Sequence, residues 1–317
     1  MSSKKLLVTG GCGYVGSVLT GKLLEDGHDV TVVDTQWFGN MLTPHPKLKI
    51  LQEDLRHFDA IPVEGMDAII NLAAIANDPC VDLDPVMSWK VNVLAMMQLT
   101  ERAIKAGVKQ FIHASSGSVY GVCDAPKVTE DQPLKPLSAY NETKMVAERM
   151  LLSYSNDIVM QIIRPGTVCG ISPRMRFDLM VNGLSMQALT KGEITLLGGE
   201  QHRPAIHVDD MARVYQFFLA RPELTGIYNS SFQNITTREI AELVTTKIPA
   251  KINHQPSNDP RSYRICADKL LNAGFKPEKT VADAIDEIAA AYAAGKLEDN
   301  DRCYNVRWMK AHPPLAA

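Results

Sequence analysis

An apolar run, KLLVT at residues 5–9, passes directly into TGGCGYVG, where Gly10, Gly13 and Gly16 stand three apart. A strand that turns on glycines and continues as a helix lets its backbone come close to a ligand, because no side chain stands in the way. The rest of the first half keeps this rhythm. DVTVVD (29–34), LKILQ (48–52), AIINLA (68–73), QFIHAS (110–115) and VMQIIR (159–164) are rich in valine, isoleucine and leucine, with helix-period segments at 14–26, 85–106 and 138–155. Strands that do not alternate are buried on both faces, as in a parallel sheet covered by helices. The expected fold is α/β, a doubly wound parallel Rossmann sheet that binds ligands at the carboxyl ends of its strands.

After Arg164-Pro165-Gly166 the rhythm breaks. A helix is expected at 178–191, a strand at 193–197, and in AIHVDDMARVYQFFLA a strand end followed by a helix capped by Asp209. Further helices are expected near 237–247 and 281–295. The implied division is a Rossmann domain over 1–165, rejoined by 203–230, and a smaller mixed α/β lobe made of 166–202 and 231–317.

The context of the glycine turn points to a dinucleotide. Gly10, Gly13, Tyr14, Val15 and Gly16 would surround a pyrophosphate at a helix N-terminus, which favours negative charge. Asp34, eighteen residues past Gly16, ends the second strand, where a carboxylate accepts both ribose hydroxyls of adenosine. It would repel a 2′-phosphate, so NAD is expected rather than NADP. The plainer reading of the same residues is a tight turn with a helix cap at Asp34. In EDL (53–55) Asp54 and Leu55 would meet the adenine, and in NLAAI (71–75) Leu72, Ala73 and Ala74 would line the cofactor.

Composition narrows the partners. A net charge of −3 gives no reason to expect nucleic acid or an anionic membrane surface. Leu6–Val8 is too short for the apolar region of a signal peptide, and no later run spans a bilayer. The six cysteines, at 12, 80, 123, 169, 266 and 303, show no C-x-x-C and no Cys/His ligand spacing. Neither disulfides nor a metal site is expected, and a reducing cytoplasm fits best.

In SAYNETKMVAER (138–149) Tyr140 and Lys144 stand four apart and so share a helix face. An ammonium beside a phenol stabilises phenolate and would draw the tyrosine's pKa toward neutrality. Tyr140 could then act as a base toward a hydroxyl or an acid toward a carbonyl. The same spacing also occurs in ordinary amphipathic helices. Upstream, ASSGSVYG (114–121) places small hydroxyl residues at a strand end, either as a turn or as part of an active site.

Taken together, the glycine turn, the strand ending in Ser115-Ser116 and Tyr140 twenty-four residues beyond Ser116 resemble the extended short-chain dehydrogenase/reductases, in their nucleotide-sugar epimerase/dehydratase branch. RPGTVCG (164–170), RPAIHVDDMA (203–212) and GIYNSS (226–231) extend the resemblance along essentially the whole chain. Cys169 departs from it, since the family usually carries an aromatic residue there. The resemblance implies that Ser116 bonds the reacting oxygen, Tyr140 moves its proton, and Lys144 binds the nicotinamide ribose. It implies that Asn92 and Pro165 belong to the cofactor site, with Asn92 supporting its helix. Ser116, Ser118, Asn182, Arg203 and Arg261 would contact a nucleotide-diphosphate sugar, Arg203 gripping the diphosphate with a planar two-pronged cation. A homodimer through 85–106 and 138–155 is implied too, with Met96, Met97, Met145 and Met150 as an adaptable surface or as plain core.

Within that family the two residues after the catalytic hydroxyl divide the chemistries. Dehydratases carry Asp-Glu there, decarboxylases a glutamate at the second position, and epimerase-reductases of the fucose-synthase type a cysteine. Here they are Gly117 and Ser118, and a serine hydroxyl is too weak an acid or base to replace any of them. Hydride transfer at C4 of a hexose or heptose remains. A ketone that turns over in the cleft makes the enzyme a 4-epimerase, and one that leaves makes it a C4-dehydrogenase or ketoreductase. A cofactor-binding sensor without turnover is disfavoured, because Tyr140 and Lys144 are both kept.

Overall fold

The computed structural model describes residues 3–123, 125–257 and 262–313. All six apolar runs of the first half form strands of one sheet: β1 (Lys5–Thr9), β2 (Asp29–Asp34), β3 (Leu48–Gln52), β4 (Ala68–Asn71), β5 (Gln110–Ala114) and β6 (Val159–Pro165). Three short strands, β7 (Thr167–Cys169), β8 (Glu193–Leu197) and β9 (His202–His207), follow, and β10 (Gly226–Ser230) then joins the main sheet beside β6. The order is β10-β6-β5-β4-β1-β2-β3, with every pairing parallel. The chain reverses direction across the sheet between β1 and β4, so a crevice opens at their carboxyl ends.

Side chains alternate across this sheet, and both faces are dry. Leu6, Val8, Val32 and Ile70 face α1 (Tyr14–Glu25) and a later helix, through Leu19, Leu23, Val214 and Phe218. Leu7, Val33, Ile69 and Phe111 face the opposite layer through Met96, Leu99 and Leu151. That layer follows two short helices, α2 (Asp78–Val81) and α3 (Pro85–Trp89), and contains α4 (Ala95–Lys105) and α5 (Ala139–Leu152). The helix expected over 85–106 is interrupted: residues Lys90–Leu94 form a π turn that carries Asn92. The fourth strand stops at Asn71, short of the expected residue 73, although the Leu72 amide still donates to the Thr9 carbonyl at 2.9 Å.

The second lobe packs α6 (Met180–Lys191), α8 (Thr237–Lys247) and α10 (Val281–Ala293) around Leu184, Ile240, Val244 and Ile285. Its strands form a β11-β9-β7 sheet, with β11 at Gln233–Thr236, and a β12-β8 pair, with β12 at Lys251–Gln255. Cys169 is buried in this core, where a small side chain suffices. Between the lobes, α7 (Val208–Leu219) returns to pack on α1 and the main sheet. The expected Asp209 cap is not found. His207 is the cap, its Nδ1 accepting from the Asp209 amide, while the Asp209 carboxylate turns outward to pair with Lys22 at 3.1 Å. Two short helices, α9 (Asp268–Asn272) and α11 (Asn305–Ala311), had no counterpart in the sequence reading.

Candidate active site

The glycine turn is built so closely that side chains cannot enter it. A Cβ on Gly10, whose φ is +72°, would stand 2.6 Å from the Ala73 amide nitrogen. One on Gly16 would stand 2.1 Å from the Gly10 carbonyl oxygen. Gly13 is the N-cap of α1; no side chain caps that helix and no acid sits in its first turn. Its leading amides therefore keep their affinity for an anion. At the end of β2, Asp34 accepts from the amides of Cys12 (3.0 Å) and Gln36 (2.7 Å). Burial pushes its pKa up, against those two bonds and the charge of Arg174. Each carboxylate oxygen still has a lone pair for a ribose hydroxyl.

These groups open on a cleft of about 840 Å³ between the lobes. Gly10, Gly13, Tyr14, Val15 and Gly16 line it, as do Asp34, Asp54, Leu55, Leu72, Ala73, Ala74 and Pro165. Asp54 is held by the Arg56 guanidinium at 2.7 Å, which keeps it ionised although burial opposes this. On the other side stand Ser116, Ser118, Tyr140 and, from β9, Arg203. Arg261 lies outside the described residues.

Ser116, two residues past the end of β5, caps a 3-10 turn over Gly117–Tyr120, its Oγ accepting from the Ser118 amide at 3.2 Å. The two hydroxyls are 2.8 Å apart, and Ser118 Oγ donates to Asn141 Oδ1 at 2.5 Å. Ser138 caps α5, and its hydroxyl also donates to Asp78. Tyr140 thus enters the cleft from the first turn of a well-anchored helix. Burial pushes its pKa up to about 12; a hydrogen bond from Ser116 and the charge of Arg176 pull down, while Asp78 pushes up. One turn on, Lys144 is buried with Nζ donating to the Ala114 carbonyl at 2.8 Å. Burial lowers its pKa to about 8 in spite of Glu148. Within the chain itself, desolvation thus acts against the charge of the half-buried Tyr140 as well as that of the buried Lys144, opposite to the pull that an ammonium and a cationic nicotinamide exert on the phenol.

Three expected ligand residues are engaged within the protein. Lys144 sits behind Tyr140, one of its ammonium protons given to the strand carbonyl. Asn92 is buried, accepting from the Ile75 amide at 2.8 Å and donating to Thr143 Oγ1 at 3.1 Å. It ties the loop after β4 to α5, in keeping with the helix-supporting role that the resemblance implies. Asn182 is also buried: it accepts from the Gly170 amide at 2.9 Å and donates to the Tyr14 hydroxyl and the Arg176 carbonyl at 3.0 Å each. Its amide is consumed in holding the loop between β7 and α6.

Sequence reasoning missed the residues that reach the cleft from afar. Arg174 and Arg176 project from that loop, and Asn305 and Met309 from α11. The last helix is clasped to the loop after β2: Trp308 Nε1 donates to the Trp37 carbonyl and Trp37 Nε1 to the His312 carbonyl, both at 2.6 Å. Paired arginines in SPRMRFD and the aromatic-basic stretch CYNVRWM were the available signals. Away from the cleft, His207, Asp209 and Glu287 cluster closely enough to hold a metal, but Glu287 is already paired with Lys279 at 2.9 Å.

Residues 6–230 match the NAD dependent epimerase/dehydratase family. The chain belongs to that family. It is 27% identical to the UDP-glucose 4-epimerase of Lactobacillus helveticus, the match covering 98% of each protein. It is also 27% identical to the UDP-glucuronic acid decarboxylase 1 of Danio rerio, over 93% of this chain and 74% of that one. Among solved structures, the UDP-glucose 4-epimerase of Thermus thermophilus in complex with NAD superposes with a TM-score of 0.80 at 25% identity, covering 90% of this chain and 99% of that one. NAD is the cofactor of the family, and the glycine cradle, the uncapped helix and Asp34 fit it. Among the described residues no helix is long and apolar enough to cross a membrane.

Proposed function

We propose that this enzyme is a nucleotide-sugar 4-epimerase. The observation that carries the reading is the Ser116–Tyr140 pair at the cofactor cleft, followed by Gly117 and a Ser118 whose hydroxyl is committed to Asn141. NAD, when bound, supplies an acceptor and donor of hydride at C4. The chain's own task is the proton. Ser116 and Tyr140 hold the C4 oxygen; Tyr140, drawn to phenolate by the positive charges of Lys144 and the oxidised cofactor, would take the C4 hydroxyl proton as the 4-keto sugar forms and return it as the ketone is reduced on its other face. Lys144 acts behind Tyr140, through charge and through the Ala114 carbonyl it holds. Arg203 meets the diphosphate of the substrate.

A second reading has one observation in its favour. Asp78 brings a carboxylate into the cleft from α2, where its charge acts on Tyr140. The lack of an acid at 117 and 118 is thus not a lack of acid in the cleft, and elimination at a carbon beside the ketone is the alternative. Incubation with UDP- and dTDP-linked hexoses and heptoses, followed by NMR, separates the outcomes. A C4 epimer with no net NADH supports the proposal. A free 4-keto sugar with stoichiometric NADH makes the enzyme a C4-dehydrogenase, and a deoxy-keto product makes it a dehydratase.

A homodimer remains part of the proposal, with its surface revised. Met96 is fully buried in the core, whereas Val86 and Leu94 on the same segment are exposed by 66% and 50%. Light scattering that gave a monomer mass at micromolar concentration would remove it.

A further inference from the structure

We propose that Arg174 is a phosphate-binding residue for the dinucleotide, closing on its pyrophosphate from the side opposite the glycine turn. The guanidinium is buried, with the residue only 4% exposed, and it lines the cleft with Gly13, Asp34 and Phe38. Its partners are neutral. Nη2 donates to Asn305 Oδ1 at 2.6 Å, the guanidinium carbon stands 4.0 Å over the Phe38 ring, and Nε has no acceptor. Among the described residues no carboxylate lies within ion-pair distance of it. Arg176, two residues on, is satisfied by two bonds of 2.9 Å to Asp178. A buried cation that touches only an amide and a ring, with the carboxylates of Asp178 and Asp34 acting on it from beyond ion-pair distance, is disfavoured unless a further anion joins it. In keeping with this, burial and the like charge of Arg176 push the Arg174 pKa down to about 10.

Position identifies the anion. Arg174 acts electrostatically on Asp34, and Arg176 acts on Tyr140. A dinucleotide with its adenosine ribose on Asp34 and its reactive end at Tyr140 has its phosphates between these points. There the uncapped N-terminus of α1 supplies a second positive end. Because Arg174 comes from the loop between β7 and α6, and Asn305 from α11, the grip would join both lobes and the last helix to the cofactor. Asn305 and Phe38 are positioning residues that orient the guanidinium.

The test is calorimetry on the full chain freed of nucleotide, titrated with NAD, ADP-ribose and adenosine. Arg174→Gln should weaken NAD and ADP-ribose by about 10- to 100-fold, the worth of a charge-assisted bond, and leave adenosine binding unchanged. Arg174→Lys, which keeps the charge but loses the fork, should fall between. Unchanged ADP-ribose affinity in Arg174→Gln would overturn the proposal. An equal loss for adenosine would overturn it too, since that marks a general packing role. If Arg174→Gln does not fold, Arg174→Lys decides alone: a loss confined to the two phosphate-bearing ligands supports the proposal, and wild-type affinity for both refutes it.

Discussion

Replacing Lys144 by methionine should make the protein more stable while removing its activity. A lysine whose ordinary pKa of 10.5 is lowered to about 8 in the folded chain resists its proton by roughly 3 kcal/mol. Methionine fills a similar volume without the charge. It forfeits the 2.8 Å bond to the Ala114 carbonyl, which costs about 1 kcal/mol. The net gain is about 2 kcal/mol at pH 7. For 317 residues that unfold together, this raises the melting temperature by roughly 3 °C. Its pH dependence is the more telling signature. Below pH 8 the ammonium is present in folded and unfolded chains alike, and the wild type bears the full cost. From about 8 to 10.5 the folded chain sheds the proton first, and the cost drains away. The gap between the two proteins should therefore close over that window. Denaturant titrations from pH 7 to 10.5, on protein stripped of NAD so that ligand binding adds nothing, measure it. A variant less stable than wild type at pH 7, or a gap indifferent to pH, refutes the account of Lys144 as a buried charge held against desolvation.

Three further outcomes follow from the site. Tyr140→Phe should lower turnover by about 10²- to 10⁴-fold with NAD affinity intact; near-normal rates would remove Tyr140 from the proton transfer. Asp34→Ala leaves the Cys12 and Gln36 amides without their acceptor, so NAD should bind about tenfold more weakly and the preference over NADP should shrink, as calorimetry with both would show. Gly16→Ala forces a methyl to within 2.1 Å of the Gly10 oxygen, and should cost about 1–3 kcal/mol of stability and at least tenfold in NAD affinity. Wild-type melting and binding in that variant would show that the turn yields more readily than its geometry allows.

What could be read from the chain alone is what depends on near neighbours. The six apolar runs, the glycine turn with Asp34, and the order of Ser116 and Tyr140 are local patterns, and the structure assembles them at one cleft. The helix expected near 237–247 is local too: in the structure Thr236 and Glu239, three residues apart, close a capping box at its start. A role that depends on what lies across the fold was misread. Asn182 looks like a ligand amide, but its hydrogen bonds go to the Gly170 amide, the Tyr14 hydroxyl and the Arg176 carbonyl.

The tertiary structure also decided the charges. Four residues of separation put Tyr140 and Lys144 on one face, but desolvation by strands and loops from elsewhere works against the charge of each. Arg174 shows the same division: its sequence neighbours mark only a loop, while Phe38 and Asn305, 136 and 131 residues away, make it a buried cation facing the cofactor cleft. Residue spacing along the chain determines which groups share a turn or a face. Desolvation and long-range contact determine what those groups can do, and they exist only once the chain has folded.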